Sequence, residues 1–251
     1  MWNRPQFLNA LADLLFAAGA AALLVAAAIG LARLPFFPVS EVAVMQPLRE
    51  VRRAEIERAI LGALRGNFFS VGLEALRESV EKLPWVRRAE LRRRWPARLE
   101  LGIEEHAPAA AWGSLPGQWV NSHGEVFAAA MRSPPAVPLP RLSGPAGYAP
   151  EMLATLRLAA SLFKPIGRRP AALEVSPRLA LRMTLDDGMI VELGRQRAEA
   201  PVRERLERFV EFYPAILTAA GRRPEVVDMR YPRGFALRAA AAPESEGGER
   251  P

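Results

Sequence analysis

The sequence predicts an α+β fold carried behind a single N-terminal transmembrane helix, and three patterns predict it. A run from Leu14 to Ala32 contains no charged side chain. The next stretch, about 70 residues long, reads strand, helix, helix, strand, strand. Beyond it, segments of period two alternate with two amphipathic helices, the pattern of a mixed C-terminal β-sheet domain with covering helices. The 251 residues suffice for one large domain or two modest ones.

Leucine, alanine, valine, isoleucine, phenylalanine and glycine fill Leu14–Ala32, and about 20 such residues span a hydrocarbon core as a helix. A cleaved signal peptide is the competing reading, with Ala26, Ala27 and Ala28 as its small-residue site. Its apolar region is only about 7–15 residues long. Here the run is longer and continues through Leu34, Phe36 and Phe37, which favours an uncleaved anchor. The expected division is a short cytoplasmic tail at 1–12, a transmembrane helix at 13–34 and a bulk outside the cytoplasm. The charge contrast behind that orientation is small, because Arg4 and the terminal amine face Arg33.

Lys+Arg number 34 against 27 Asp+Glu, a net charge of +7. That balance invites nucleic-acid binding. An arginine-rich, solvated surface explains it more simply, and the anchor removes the bulk from chromosomal DNA, so no nucleic-acid partner is expected. Cysteine is absent, which excludes disulfides, thiol nucleophiles and cysteine-based metal sites.

After the anchor, Val42 and Val44 alternate with Glu41 and Ala43, a short strand within Val39–Met45. Ala54–Leu64 places Ile56, Ile60, Leu61 and Leu64 on one helical stripe, and Leu73–Leu83 does the same with Leu73, Leu76, Val80 and Leu83. Gly66 and Asn67 separate these helices and Pro84 ends the second. Val86–Arg94 and Arg98–Glu105 are strands joined through Trp95, Pro96 and Ala97. Leu99, Leu101 and Ile103 form the buried face of the latter. Further on, prolines 134, 135, 138, 140 and 145 punctuate a loop-rich stretch, Glu151–Phe163 is an amphipathic helix, and Leu173–Val175 returns to strand. Leu179, Leu181, Met183 and Leu185 alternate into an Asp186-Asp187-Gly188 turn and a return strand toward Gly194. A helix over about Glu199–Leu217 presents Val202, Leu206, Phe209, Val210, Tyr213 and Leu217 to the sheet, with Arg203, Glu204, Arg205, Glu207 and Arg208 on its charged side. Two strands, Val226–Tyr231 and Phe235–Arg238, turn through Pro232-Arg233-Gly234. Residues 239–251 lack a hydrophobic period and are expected to be a disordered tail.

Several of these residues carry a resemblance. Leu83-Pro84-Trp85-Val86, Ala89, Leu91, Arg94-Trp95-Pro96 and Leu99 to Glu105 resemble the end of a POTRA domain as found in the bacterial cell-division family FtsQ/DivIB. Pro108-Ala109, Trp112, Trp119-Val120-Asn121, Gly124 and Val126-Phe127 are similar to that family's entry into its β domain. Leu181–Leu185, Asp187-Gly188, Val191–Arg195, Arg208-Phe209-Val210, Tyr213-Pro214, Val227–Tyr231 and Gly234-Phe235-Ala236 continue the likeness in order. The resemblance implies a POTRA domain (β-α-α-β-β) at 36–105 and an FtsQ-type β domain at 106–238. It also implies a noncatalytic, single-pass inner-membrane scaffold at the division septum, its bulk periplasmic, needing no cofactor.

An edge strand leaves backbone N–H and C=O groups that an incoming extended chain can pair. The last strand suits this, being short, opened by Gly234 and followed by no further strand. By the resemblance, this edge, with Gly234, Phe235, Ala236 and Leu237, receives the periplasmic segment of FtsB, held with FtsL. Tyr231 matches an aromatic contact of the family. Arg178 and Arg230 match arginines that pair with acidic residues of the partner, and Phe212 matches a hydrophobic helix contact. For Phe212 a core position fits the pattern equally, and for the arginines so does a solvated surface. The turn Pro232–Phe235 is tighter than in some relatives, so contacts beyond Leu237 do not carry over. On the strand before Trp95, Arg88, Arg92 and Arg94 share one face with Glu90. A solvated face explains them, as does docking of another division protein or of anionic headgroups.

Other chemistries find residues of the right types. Ser122, His123 and Glu125 have the types of a nucleophile, base and orienter for a peptidoglycan-modifying enzyme, but they also read as a polar turn around Gly124. His106 and His123 are the only histidines, and a zinc site would need both plus a carboxylate such as Glu105; lone loop histidines are commoner than ligands, and no metal is expected. Asp186-Asp187 has the types of a glycosidase pair but also of a turn. A POTRA-type chaperone for outer-membrane proteins would continue into a barrel, and no series of strands of about 10 residues follows.

Overall fold

The computed structural model describes residues 5–32, 38–132, 135, 137–197, 201–220, 224–232 and 234–239. Helix α1 covers Pro5–Ala32 and is already formed at Pro5, inside the stretch read as tail. A proline in a first helical turn costs little, since its missing N–H has no intrahelical acceptor there. Within α1, Asn9–Leu31 has a mean hydropathy of 2.5, and its 23 residues rise about 35 Å, enough for a hydrocarbon core about 30 Å thick. Its leucines and phenylalanine are exposed to the surroundings. By length and composition α1 is a candidate membrane span.

The chain then divides into two compact units that part after Glu105. In the first, β1 (Glu41–Val44) is followed by α2 (Arg53–Ala63), α3 (Leu73–Glu81), β2 (Val86–Arg94) and β3 (Arg98–Glu105), in the predicted order. The sheet order is β1-β3-β2, with β1 parallel and β2 antiparallel to the central β3. Leu99, Leu101 and Ile103 point inward from β3, as their alternation requires, and meet Ile56, Ile60, Leu76 and Val80 of the helices. Leu61 corrects the predicted stripe: it is 68% exposed. It sits about 100° around the helix from Ile60, and with α2 only about three turns long, Ile56 and Ile60 already fill the inward face. The Glu105 carboxylate, at the end of β3, accepts the backbone N–H groups of Arg49 at 2.8 Å, Glu50 at 3.0 Å and Val51 at 2.7 Å. It thereby satisfies donors just ahead of α2.

The second unit contains β4 (Pro108–Trp112), β5 (Gln118–Asn121), β6 (Val126–Ala128), β7 (Arg141–Ser143), α4 (Ala149–Leu162), β8 (Pro170–Val175), β9 (Ala180–Leu185), β10 (Ile190–Arg195), α5 (Val202–Ala220), β11 (Pro224–Asp228) and β12 (Ala236–Ala239). These strands form one nine-stranded sheet in the order β12-β11-β10-β9-β8-β7-β4-β5-β6. The β7–β8 and β10–β11 pairs are parallel. A parallel pair needs a crossover, and α4 and α5 are those crossovers, which is why both lie against the sheet. Phe163, Phe209, Met183, Leu185, Val191, Leu193, Leu142 and Leu173 are buried between the layers. Residues 240–251, the remainder of the expected disordered tail, lie outside the described residues; Ala239 belongs to β12.

Helix α5 departs from its sequence reading at three positions. Arg205 is buried at 4% exposure rather than on the charged side, Ile216 is fully buried, and Leu217 is 37% exposed. Arg205 falls one residue before Leu206 and three after Val202, so the inward stripe includes it. Its Nη2 donates to the carbonyl of Arg195 at 2.5 Å, the C-terminal end of β10. Burial lowers the pKa of that guanidinium.

Candidate partner-binding site

The strands that carry the predicted contacts end on one side of the sheet. Asp228 at the end of β11 pairs with Glu192 of β10 and with Ala236 at the start of β12. Ala180 at the start of β9 pairs with Arg195 at the end of β10. The turn before β9, which holds Arg178, and the segment after β11, which holds Arg230 and Tyr231, therefore leave the sheet at the same end. β9 and β11 are two strand spacings apart, about 10 Å.

Strand β12 is the terminal strand of the sheet order and pairs with β11 on one side. Among the described residues nothing pairs with its other side. A Cβ at Gly234 would meet nothing within 4 Å, so the chain just ahead of β12 has open space beside it. Leu237 turns inward and packs with Phe235 and Phe212 against the core, while Ala236 and Arg238 are exposed. The Phe212 and Phe235 rings lie 5.7 Å apart and are both half-buried. Phe212 thus meets Phe235 from α5, and Tyr231, in the segment between β11 and β12, is 55% exposed.

Arg230 is not a bare charge. Its Nε donates to Asp228 Oδ1 at 2.8 Å and Oδ2 at 2.9 Å, and its Nη2 donates to Oδ2 at 2.5 Å. The guanidinium is 61% exposed, and three of its five N–H groups remain for another acceptor. Gly194 makes this placement possible. It takes φ +69 at a β-bulge, and a Cβ there would lie 2.9 Å from Arg230 Cγ. Arg208 straps the same segment by donating to the carbonyls of Pro232 and Met229. The sequence reading placed Arg208 among the solvated charges; only the neighbouring turn, far along the chain, reveals its acceptors.

The Arg230 hydrogen bonds hold the Asp228 carboxyl below its ordinary value of 3.8 against the opposing effect of burial. A carboxyl depressed in the folded state adds stability above its unfolded pKa and loses it as pH falls through the lower folded value. The clamp therefore holds throughout the neutral range and weakens only below about pH 4. Between about pH 5 and 2, Asp228→Asn is expected to flatten the acid limb of a stability profile measured by denaturant unfolding. An unchanged limb would mean the pair contributes nothing.

Arg178 is exposed in the β8–β9 turn, next to Leu179, whose φ is +60. That conformation strains a side chain by about 1–2 kcal/mol, and here it closes the turn through Leu179 N–H to the Ser176 carbonyl at 2.8 Å. Arg178 lines a cavity of about 630 Å³ with Tyr148, Leu179, Arg195 and Arg203.

The residues with catalytic side-chain types fold as turns. Asn121, fully buried, accepts the N–H groups of His123 and Glu125 at 2.9 Å each through Oδ1. Its Nδ2 donates to Glu125 Oε2 at 2.6 Å and lies 2.9 Å from His106 Nδ1. Ser122 Oγ and His123 Nδ1 are 3.4 Å apart. The signal for Asn121 was its place between a strand and a glycine turn, where asparagine closes the backbone. Asp187 and Asp186 pair with Arg168 at 3.3 Å and Arg169 at 3.6 Å, and Asp187 Oδ1 also accepts the Met189 N–H. Among the described residues no group of three histidines or carboxylates comes together as a metal site.

Comparison with known families agrees with this architecture over both units. Residues 37–106 match the description "POTRA domain, FtsQ-type", and residues 110–230 match "Cell division protein FtsQ/DivIB, C-terminal". Three relatives, each called Cell division protein FtsQ, align over nearly their whole length. The one from Burkholderia pseudomallei is 37% identical over 240 residues, 96% of this chain and 95% of the relative. That from Nitrosospira multiformis is 35% identical over 95% of this chain and 99% of its own. That from Bordetella pertussis is 34% identical over 97% and 94%. With an apolar helix, a β-α-α-β-β unit and a mixed sheet in the same order as the matched regions, the chain belongs to the FtsQ/DivIB family of cell-division proteins.

Proposed function

We propose that this cell-division protein is a noncatalytic scaffold that captures an extended segment of FtsB, held with FtsL, along the outer edge of β12. Helix α1 anchors it in the inner membrane with its N-terminus cytoplasmic, and both folded units act in the periplasm at the septum. The observation that carries the reading is the outer side of β12, with which nothing pairs among the described residues. It borders exposed Tyr231, the outward donors of Arg230 and the open space at Gly234. Backbone pairing along β12 supplies affinity, and the side chains around it select the partner. A guanidinium fork already oriented by Asp228 meets a partner carboxylate with less loss of freedom than a loose one. Arg178, at the same sheet end, offers a second positive contact to an acidic segment.

Amide hydrogen exchange on the full chain, with and without the periplasmic segments of FtsB and FtsL, tests this directly. Slowed exchange at Ala236–Ala239 in the complex is the expected result. Tight complex formation with unchanged exchange along β12 would refute edge capture.

A further inference from the structure

The first unit carries an exposed aromatic tip at the end where the chain arrives from α1. Trp95, in the β2–β3 turn, is 68% exposed and Phe69 43%. The Trp95 ring lies 6.3 Å from Phe68 and 6.4 Å from Phe69. Large apolar side chains exposed together need an explanation that scattered ones do not. Packing within the unit does not require them: Phe68, at 4% exposure, already closes this end of the core.

Arginines surround the tip. Arg93 leaves β2 and fixes the loop beneath Phe69, donating to the carbonyls of Phe68 at 2.9 Å and Val71 at 2.7 Å. Arg92 and Arg94 are 77% and 70% exposed, and their carboxylate partners, Glu90 and Glu100, stand at 3.4 and 3.7 Å. Such loose exposed pairs contribute little and leave the guanidinium available to a phosphate. Arg98 pairs more closely with Glu41, at 2.7 Å. Arg65 is exposed at the start of the Phe68–Phe69 loop. The loop and strand ends that carry the aromatic group thus hold five arginines, three of them paired with a carboxylate.

Chain connectivity places this tip near the bilayer. Ser40 donates its N–H to Ala97, in the Trp95 turn, at 2.9 Å, and Glu41 pairs with Arg98. The candidate span ends at Leu31. Eight residues lie between Leu31 and Ser40, and the nine residue steps from one to the other reach at most about 30 Å. The end of the unit that carries exposed Trp95 is therefore the end at which the chain arrives from the candidate span.

We infer that Trp95 and Phe69, together with Arg92 and Arg94 on the outer face of the strand end that leads into Trp95, form a docking surface for anionic phospholipid headgroups. Tryptophan and phenylalanine enter the interfacial layer, where an apolar ring and a polar edge are both accommodated, while the guanidinium groups bind lipid phosphates. An acidic protein segment would also suit the arginines. It would not explain why the aromatic group sits at the tethered end. The inference needs α1 to be inserted in a bilayer and is independent of β12 and its partner.

The test uses the full chain in lipid nanodiscs whose acyl chains carry bromine, which quenches nearby tryptophan. The chain has five tryptophans, so the Trp95 signal is the difference between the parent and Trp95→Phe. The expected result is roughly twofold quenching of that signal in discs containing phosphatidylglycerol and little in pure phosphatidylcholine, fading as salt shortens the screening length. Arg92→Gln/Arg94→Gln should abolish the difference between lipids, with folding checked by circular dichroism; Arg92→Glu/Arg94→Glu should do so more strongly. Equal quenching in both lipids, no quenching in either, or a lipid difference that survives both double variants would overturn the inference. Failure here leaves exchange at β12 untouched, so the two readings fall separately.

Discussion

Tyr231→Ala is expected to weaken binding of the periplasmic FtsB–FtsL segments about 30-fold, the effect of losing a hot-spot aromatic worth about 2 kcal/mol. Stability should change by less than about 0.5 kcal/mol, because the side chain is 55% exposed. The pairing of those two readouts makes the test informative. Phe235 is a poorer probe of the same edge. Its ring lies against Phe212 and the core, so Phe235→Glu would place a carboxylate in an apolar contact and loosen β12 before any partner arrives. Titration of folded Tyr231→Ala with the partner segments, followed by calorimetry, measures the change. Parental affinity would remove Tyr231 from the contact.

Gly124→Val is expected to destabilise the second unit by about 3–4 kcal/mol, one of the larger single-residue effects available in the chain. Gly124 takes φ +86, a conformation that costs a β-branched residue about 1–3 kcal/mol. A Cβ there would stand 2.7 Å from Pro150 Cα and 3.2 Å from its nitrogen. Those are backbone atoms in the first turn of α4, so relief requires the helix to shift rather than a side chain to rotate. Gly147 is the control, because an added Cβ there would meet nothing within 4 Å and its φ is not positive; Gly147→Ala should stay within about 0.5 kcal/mol of the parent. A thermal melt should show the valine variant lower by roughly 10 °C. Equal melts for the two variants would mean that the approach of the β5–β6 turn to α4 is not a constraint.

The Gly124 contact shows where sequence reading stops. Glycine shortly after a strand, in the run Asn121-Ser122-His123-Gly124, announces a turn. That the turn abuts Pro150 is invisible, because a long loop-rich stretch intervenes. The same holds on α5. Its period identifies Leu206, Phe209 and Tyr213 as inward, but a helix stripe has a width, and residues at its margin go either way. Arg205 is drawn inward because the Arg195 carbonyl ends β10 beneath it, and Leu217 stays out because Ile216 takes the inward place. Arg230 was legible as a positive group near the edge. Its engagement by Asp228 depends on Gly194, whose bulge opens room for the side chain.

Local order, by contrast, was written in the residues themselves. Charge-free length marks α1, and alternation marks β3 with its three buried residues. Spacing of three and four marks α2 and α3, and the Pro232–Gly234 break separates β11 from β12. Each is a short-range property, fixed by backbone periodicity and by which side of an element is apolar. Strand neighbours are not short-range. The tertiary structure alone decided that β7, β8, β10 and β11 join through parallel crossovers, that the sheet runs on through nine strands among the described residues, and that β12, the last of these, ends up at its margin. The reason is that hydrogen-bonding groups of every strand are chemically alike, so pairing is chosen by how two crossover helices and a shared core fit together.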